Sequence, residues 1–227
     1  MTSADDLAAR IRAFIFDHFL AYATPPVVEQ LMTEFALSRE EATAALHQLE
    51  AARHIALVKG TARILMAFPF SAVATPFRVS VDGRGYFANC AWDAVAFHAM
   101  LRRDVRIASH CHHCAARIEL QLRDGRAVRA DPPDTLVYLA LPAARWWEDI
   151  VASCGNTMVF FASPEHRDAS DLRAGPGHGA SLTPDQTLRL SAPIYAEKLA
   201  LDYARPTREA LVEHFAAMGL TGDFWRL

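Results

Sequence analysis

Two residues of the stretch NCAWDAVAF, 89–97, have types and spacing that could do chemistry together: Cys90 and Asp93. Residues three apart on a helix share a face, so the thiol and the carboxylate would meet. Asn89 is a good N-cap, which would put Cys90 at the first helical position. There the helix dipole favours a thiolate. The carboxylate opposes this, because two negative charges in a poorly hydrated site disfavour one another and a proton is then shared between sulfur and oxygen. Such a pair can bind a soft electrophile through sulfur and deliver a proton from oxygen. The plainer alternative is a buried structural cysteine with an aspartate exposed at the helix start.

The other cysteines are Cys111, Cys114 and Cys154. Cys154 would end a helix over about 143–154, just before Gly155, where the dipole does not favour a thiolate. A reactive Cys154 would need a metal or a neighbouring proton acceptor; otherwise it is a core cysteine. The cluster HCHHC, 110–114, has the Cys-x-x-Cys spacing of a zinc knuckle at Cys111 and Cys114. No second such pair exists to complete four ligands, and His110, His112 or His113 could join only by folding back tightly. The alternative is a turn between strands with one or two cysteines facing the core.

The elements that must position these groups read as follows. Residues 3–20 form a helix with Leu7, Ile11, Phe14, Ile15 and Phe19 on one face, and Ser3 with Asp6 as a start signal. Pro25 and Pro26 open a second helix. Ser38-Arg-Glu-Glu41 is a capping box before a third. Residues 54–68 form a hairpin about Lys59-Gly60. Three helices and a hairpin are the order of a winged helix-turn-helix. Its third helix carries Glu40, Glu41 and Glu50 against Arg39 and Arg53, which suits packing better than phosphate contact.

From about residue 71 a second unit is expected. It has a strand at 77–81 turning at Asp82-Gly83, the Cys90 helix, and strands near 105–109, 117–122, 127–130 and 135–141, with a hairpin at Asp124-Gly125. After the helix at 143–154 come a strand at 158–162 and a loop at GPGHG, 175–179. A helix capped by Thr183-Pro184 follows, and then helices over about 192–203 and 206–218. There is no internal repeat or low-complexity segment.

Composition narrows the classes. The 227 residues are 52% hydrophobic, enough for one large core or two small ones. A net charge of −3 gives no electrostatic case for wholesale nucleic-acid binding. No apolar run approaches the roughly 20 residues of a membrane span, and the acidic N-terminus lacks a signal peptide's basic and apolar regions. The expectation is a cytoplasmic protein whose cysteines are thiols or metal ligands rather than disulfides.

Taken in order, NCAWDAVAFHAML (89–101), ASHC (108–111) and SCGNTMVFFAS (153–163), behind the winged-helix-like module, resemble the organomercurial or alkylmercury lyases. The resemblance implies an α+β protein with a three-helix winged-helix-like module over 1–70 and a mixed sheet-and-helix catalytic domain over 71–227. It implies that Cys90, Asp93 and Cys154 cleave a carbon–mercury bond, with both thiolates holding mercury and Asp93 protonating carbon. Mercury is soft and prefers thiolate, which suits these residues. Cys111 matches a cysteine regarded as structural, whereas Cys114 and the crowded histidines depart from the family pattern and leave a structural zinc open.

The resemblance further implies no organic cofactor, Hg²⁺ as bound product, an organomercurial substrate, small-molecule thiols as partners and a mercuric reductase as acceptor. No membrane or nucleic-acid partner is implied. Trp92, Phe97, Phe160 and Phe161 could line an apolar pocket for the organic group, although at least half of them are expected to be ordinary core. The rival function is a non-catalytic metal-binding or metal-sensing protein on the same fold, including a winged-helix regulator. Asp93 favours the enzyme, since a sensor has no need of a proton donor.

Overall fold

The computed structural model describes residues 3–172 and 179–227, with side chains from Asp6 onward. Three helices come first: α1 (Ser3–Tyr22), α2 (Val28–Phe35) and α3 (Arg39–Ala51). The capping box expected before α3 forms. Ser38 Oγ accepts from the Glu41 amide at 3.2 Å, and Glu41 Oε2 accepts from the Ser38 amide at 2.8 Å. A three-stranded antiparallel sheet follows, β1 (Ala56–Leu57), β2 (Ile64–Ala67) and β3 (Phe70–Ser71), in that spatial order. Phe70 ties this unit to the rest of the core, stacked on Phe19 at 4.9 Å and edge-on to Phe97 at 4.8 Å.

The main sheet holds β4 (Arg78–Val81), β5 (Arg84–Phe87), β6 (Val105–His110), β7 (Arg117–Arg123) and β8 (Arg126–Asp131), antiparallel in the order β5-β4-β6-β7-β8. Its two tight turns are the expected Asp-Gly pairs. Asp82 and Gly83 have φ of 49° and 79°, and Asp124 and Gly125 have 51° and 74°, the positive values that two-residue hairpin loops need. A smaller antiparallel sheet is built on β9 (Leu136–Leu139), flanked by β10 (Met158–Phe161) and β11 (Ala180–Leu182). Between the sheets runs α4 (Ala91–Leu101), buried along nearly its whole length and packed on α7 (Pro184–Tyr195). α8 (Arg208–Ala217) closes the C-terminal side. Among the described residues no helix is long and apolar enough to cross a membrane.

Several expected elements differ; the strand expected at 135–141, for example, is Leu136–Leu139. The helix over 143–154 is broken into a 3-10 turn at Ala143–Arg145, a single α-turn α5 (Ile150–Ala152) and a π-turn at Ser153–Thr157. Asp149 is responsible: extended at φ −149°, it accepts the Ala152 amide at 2.9 Å and restarts the helix. The helix over 192–203 is absent. Pro193 instead sits in the last turn of α7, and the Arg189 carbonyl it leaves without an amide partner is taken by His214 Nε2 at 3.0 Å. The strand expected from Phe77 begins at Arg78. The GPGHG loop lies, apart from Gly179, outside the described residues.

Candidate active site

Cys90 is itself the N-cap of α4, not its first helical residue. Its φ and ψ are −154° and 179°, and its Sγ accepts the Asp93 amide at 3.3 Å. Asn89 fails as cap because its side chain is used elsewhere: Nδ2 donates to Asp93 Oδ2 at 2.9 Å and to the Pro69 carbonyl at 3.1 Å. The expected shared face survives this shift. Cys154, in the π-turn, meets the pair from the opposite side, and one ligand atom from each of Cys90, Asp93 and Cys154 lies within 4.8 Å of the others. A π-turn widens the helix by a residue and is frequent at functional sites.

All three residues are buried, Asp93 at 2% exposure. Burial pushes the Cys90 thiol well above its ordinary range, helped by the neighbouring Cys154 and Asp93. The dipole-activated thiolate expected there is therefore not the resting form. Asp93 is pushed up to about 6 by burial, against hydrogen bonds from Tyr195 and Asn89 that favour its charge. Cys154 receives a hydrogen bond from Cys90 that favours its thiolate, but burial and Asp93 outweigh it and its pKa is raised. The resting site thus stores protons on sulfur beside a carboxylate able to take one.

Several contributors carry no local sequence signal. Tyr195, at the end of α7, donates its hydroxyl to Asp93 Oδ1 at 2.5 Å, and burial beside Asp93 pushes that phenol well up. Met158, at the start of β10, places Sδ 3.9 Å from Cys90 Sγ. Lys198 is fully buried with no hydrogen-bond partner for Nζ among the described residues. It lies 5.1 Å from the Tyr195 ring and 5.8 Å from that of Phe68, and burial lowers it to about 7. All of these come from segments 68 or more residues away from Cys90 in the chain, which spacing rules do not reach.

A cavity of about 310 Å³ opens onto the three residues, walled by Phe68, Trp92, Trp146 and Trp147 with Arg53 and Arg205 among its lining. Trp92 is held by its indole N–H donating to Ser191 Oγ at 2.8 Å and by an edge contact to Trp146 at 5.1 Å. Of the four expected pocket residues only Trp92 lines this cavity. Phe97 packs on Phe70 and Tyr86, Phe160 on Phe77, and Phe161 on Tyr138 and His112.

Cys111 and Cys114 lie elsewhere, in the turn after β6. Neither His110 nor His112 joins them; the third group is His166 of α6 (Pro164–Asp168).

The family model for alkylmercury lyase, MerB, matches residues 70–196, more than half of the chain. An alkylmercury lyase of Staphylococcus epidermidis is 29% identical over 145 residues, 64% of this chain and 64% of that protein. One from Pseudomonas putida is 31% identical over 133 residues, 59% of this chain and 60% of its own length. The chain thus spans a little under two thirds of the curated relatives it matches. The crystal structure of the mercury-bound form of MerB2 superposes with a TM-score of 0.67 at 20% identity, covering 85% of this chain and 91% of that one, and so shares the fold. On the match that begins at the last strand of the first sheet and takes in Cys90, Asp93, Cys154 and Tyr195, the chain belongs to the alkylmercury lyase family.

Proposed function

We propose that this protein cleaves the carbon–mercury bond of organomercurials by protonolysis at Cys90, Asp93 and Cys154. The observation that carries the reading is the convergence of two thiols and one carboxylate, all buried, within 4.8 Å at the floor of an aromatic cavity. Thiolate is the preferred ligand of a soft metal, and a carboxyl near neutrality is suited to proton transfer.

The proton balance closes on these three residues. R–Hg–X arrives with X a low-molecular-weight thiolate. One cysteine thiol replaces X, which leaves as X–H. The second sulfur then adds to mercury while its proton passes to the Asp93 carboxylate. With two thiolates on mercury, electron density rises on carbon. Asp93 gives its proton to that carbon, the pair of the carbon–mercury bond forms the new carbon–hydrogen bond, and R–H departs. Hg²⁺ remains on both sulfurs and Asp93 is again a carboxylate. Trp92, Trp146 and Trp147 would bind the organic group and keep water out. Small thiols or a mercuric reductase would remove the metal, and no organic cofactor enters the balance. Cytoplasmic thiols suit this scheme, and all four cysteines are free.

We divide the chain into a winged-helix-like module over 1–70 and a catalytic domain over 71–227. The helix order and the small antiparallel sheet support the first assignment. Glu40 and Glu41 in the first turn of its third helix argue against a DNA-reading role.

The test is benzene release from phenylmercuric acetate by pure protein in excess cysteine, beside Cys90→Ser and Cys154→Ser. Release that either substitution abolishes supports the reading. Stoichiometric mercury binding without benzene would overturn it in favour of a binding or sensing protein.

A further inference from the structure

We propose that Cys111, Cys114 and His166 form a zinc site, separate from the mercury chemistry, that pins the far end of β10. The sulfurs of Cys111 and Cys114 lie 3.6 and 3.5 Å from Nδ1 of His166, and the three ligand atoms fall within 4.8 Å of one another. Zinc–sulfur bonds near 2.3 Å and a zinc–nitrogen bond near 2.0–2.1 Å, at tetrahedral angles, put sulfur and nitrogen about 3.5–3.6 Å apart. Both sulfur–nitrogen spacings therefore already match those of one tetrahedral ion. Two thiolates and an imidazole select zinc over the hard divalent cations.

The surroundings fit a metal knuckle. Cys111 Sγ accepts the backbone N–H of Ala162 at 3.4 Å. The turn is closed by the Cys111 amide on the Ala116 carbonyl and the Ala115 amide on the Cys111 carbonyl, at 2.8 and 2.9 Å. Ala115 is held at φ 59°, a strained value for a residue with a Cβ. His113, exposed, lies beside the group, its ring centroid 5.6 Å from that of His166.

The placement gives the ion a job. His112 N–H bonds the Phe160 carbonyl at 2.9 Å, and Cys111 takes the Ala162 amide, so the turn grips the C-terminal end of β10. The other end of that strand carries Met158, beside Cys90. Four residues of strand separate the two centres by roughly 13 Å. Joining the turn to α6 through an ion would fix the strand that forms one wall of the mercury site.

Metal analysis of reduced, purified protein tests this, with cobalt(II) substitution as the spectroscopic probe. The expected result is about one zinc per chain and a thiolate-to-cobalt charge-transfer band. Zinc retention should fall at least roughly tenfold in Cys114→Ser and in His166→Ala, both outside the core, and persist in Cys90→Ser/Cys154→Ser. Failure to retain zinc or give the cobalt band would overturn the proposal. So would retention indifferent to Cys114 and His166, or loss in the Cys90/Cys154 variant.

Discussion

Asp93→Asn isolates the proton that burial places on this site. The carboxyl has its ordinary pKa of 3.8 in the unfolded chain and about 6 in the fold. Between those values the native state holds a proton that the unfolded state has lost. The stabilisation is complete below about pH 4 and gone once the pH has risen through about 6. At 1.36 kcal/mol for each tenfold change in acidity, the rise from 3.8 to about 6 corresponds to about 3 kcal/mol. Asparagine cannot titrate, so the variant lacks this slope. It also presents an amide to Asn89 Nδ2 where a second acceptor was, a pH-independent cost of about 1–3 kcal/mol. Lys198 adds in the same sense. Its pKa, about 7, is lowered by burial and supported by Asp93, and falls further without that charge, so the variant gains stability as the pH rises. The assay is urea unfolding of both proteins at pH 4 and pH 7. The wild type should lose about 2–3 kcal/mol relative to the variant between the two. An unchanged difference would refute the reasoning, because Asp93 would then not be a desolvated carboxylate.

Tyr195→Phe removes the 2.5 Å donor to Asp93 Oδ1 while keeping the ring. Asp93 should rise further, and benzene release should slow while mercury still binds two sulfurs, read by product yield beside metal stoichiometry; an unaltered rate would deny Tyr195 any part. Phe97→Ala empties a fully buried site between Phe70 and Tyr86. It should cost about 3–5 kcal/mol in denaturant unfolding. A loss below about 1 kcal/mol would mean that Phe97 is not core.

What the sequence made legible was local. The capping box at Ser38, the Thr183-Pro184 helix start and the two Asp-Gly hairpins depend on residues within four positions of each other, and all formed. The Cys90–Asp93 pairing is local too, and it survived a one-residue error in the cap because both residues shifted register together. Tyr195, Lys198 and His166 could not be read this way. Each is ordinary in its own segment and meets its partners only in the fold, as Tyr195 meets Asp93 of α4 and His166 meets the turn after β6. The broken helix over 143–154 failed for a related reason: an internal Asp149 competes for a backbone amide, and periodicity does not register that competition.

The proton inventory also bears on why the site is buried. A protein that only captured Hg²⁺ would gain by lowering its thiol pKa values, since the metal binds thiolate. Here the environment does the reverse. Burial raises Cys90, Cys154 and Tyr195, and lifts Asp93 toward neutrality. Affinity at rest is reduced, and every proton that the proposed reaction needs is held within the constellation. In that reaction mercury would displace protons from sulfur while a basic carboxylate stands beside them. Opening the cavity to water would lower all four pKa values together, strengthen capture and deprive carbon of its proton donor. On this argument, substitutions that hydrate the Trp92–Trp146 wall should separate the two properties, preserving metal binding while hydrocarbon release fails. A wall variant that loses both in parallel would show that the aromatic residues serve only to hold the fold.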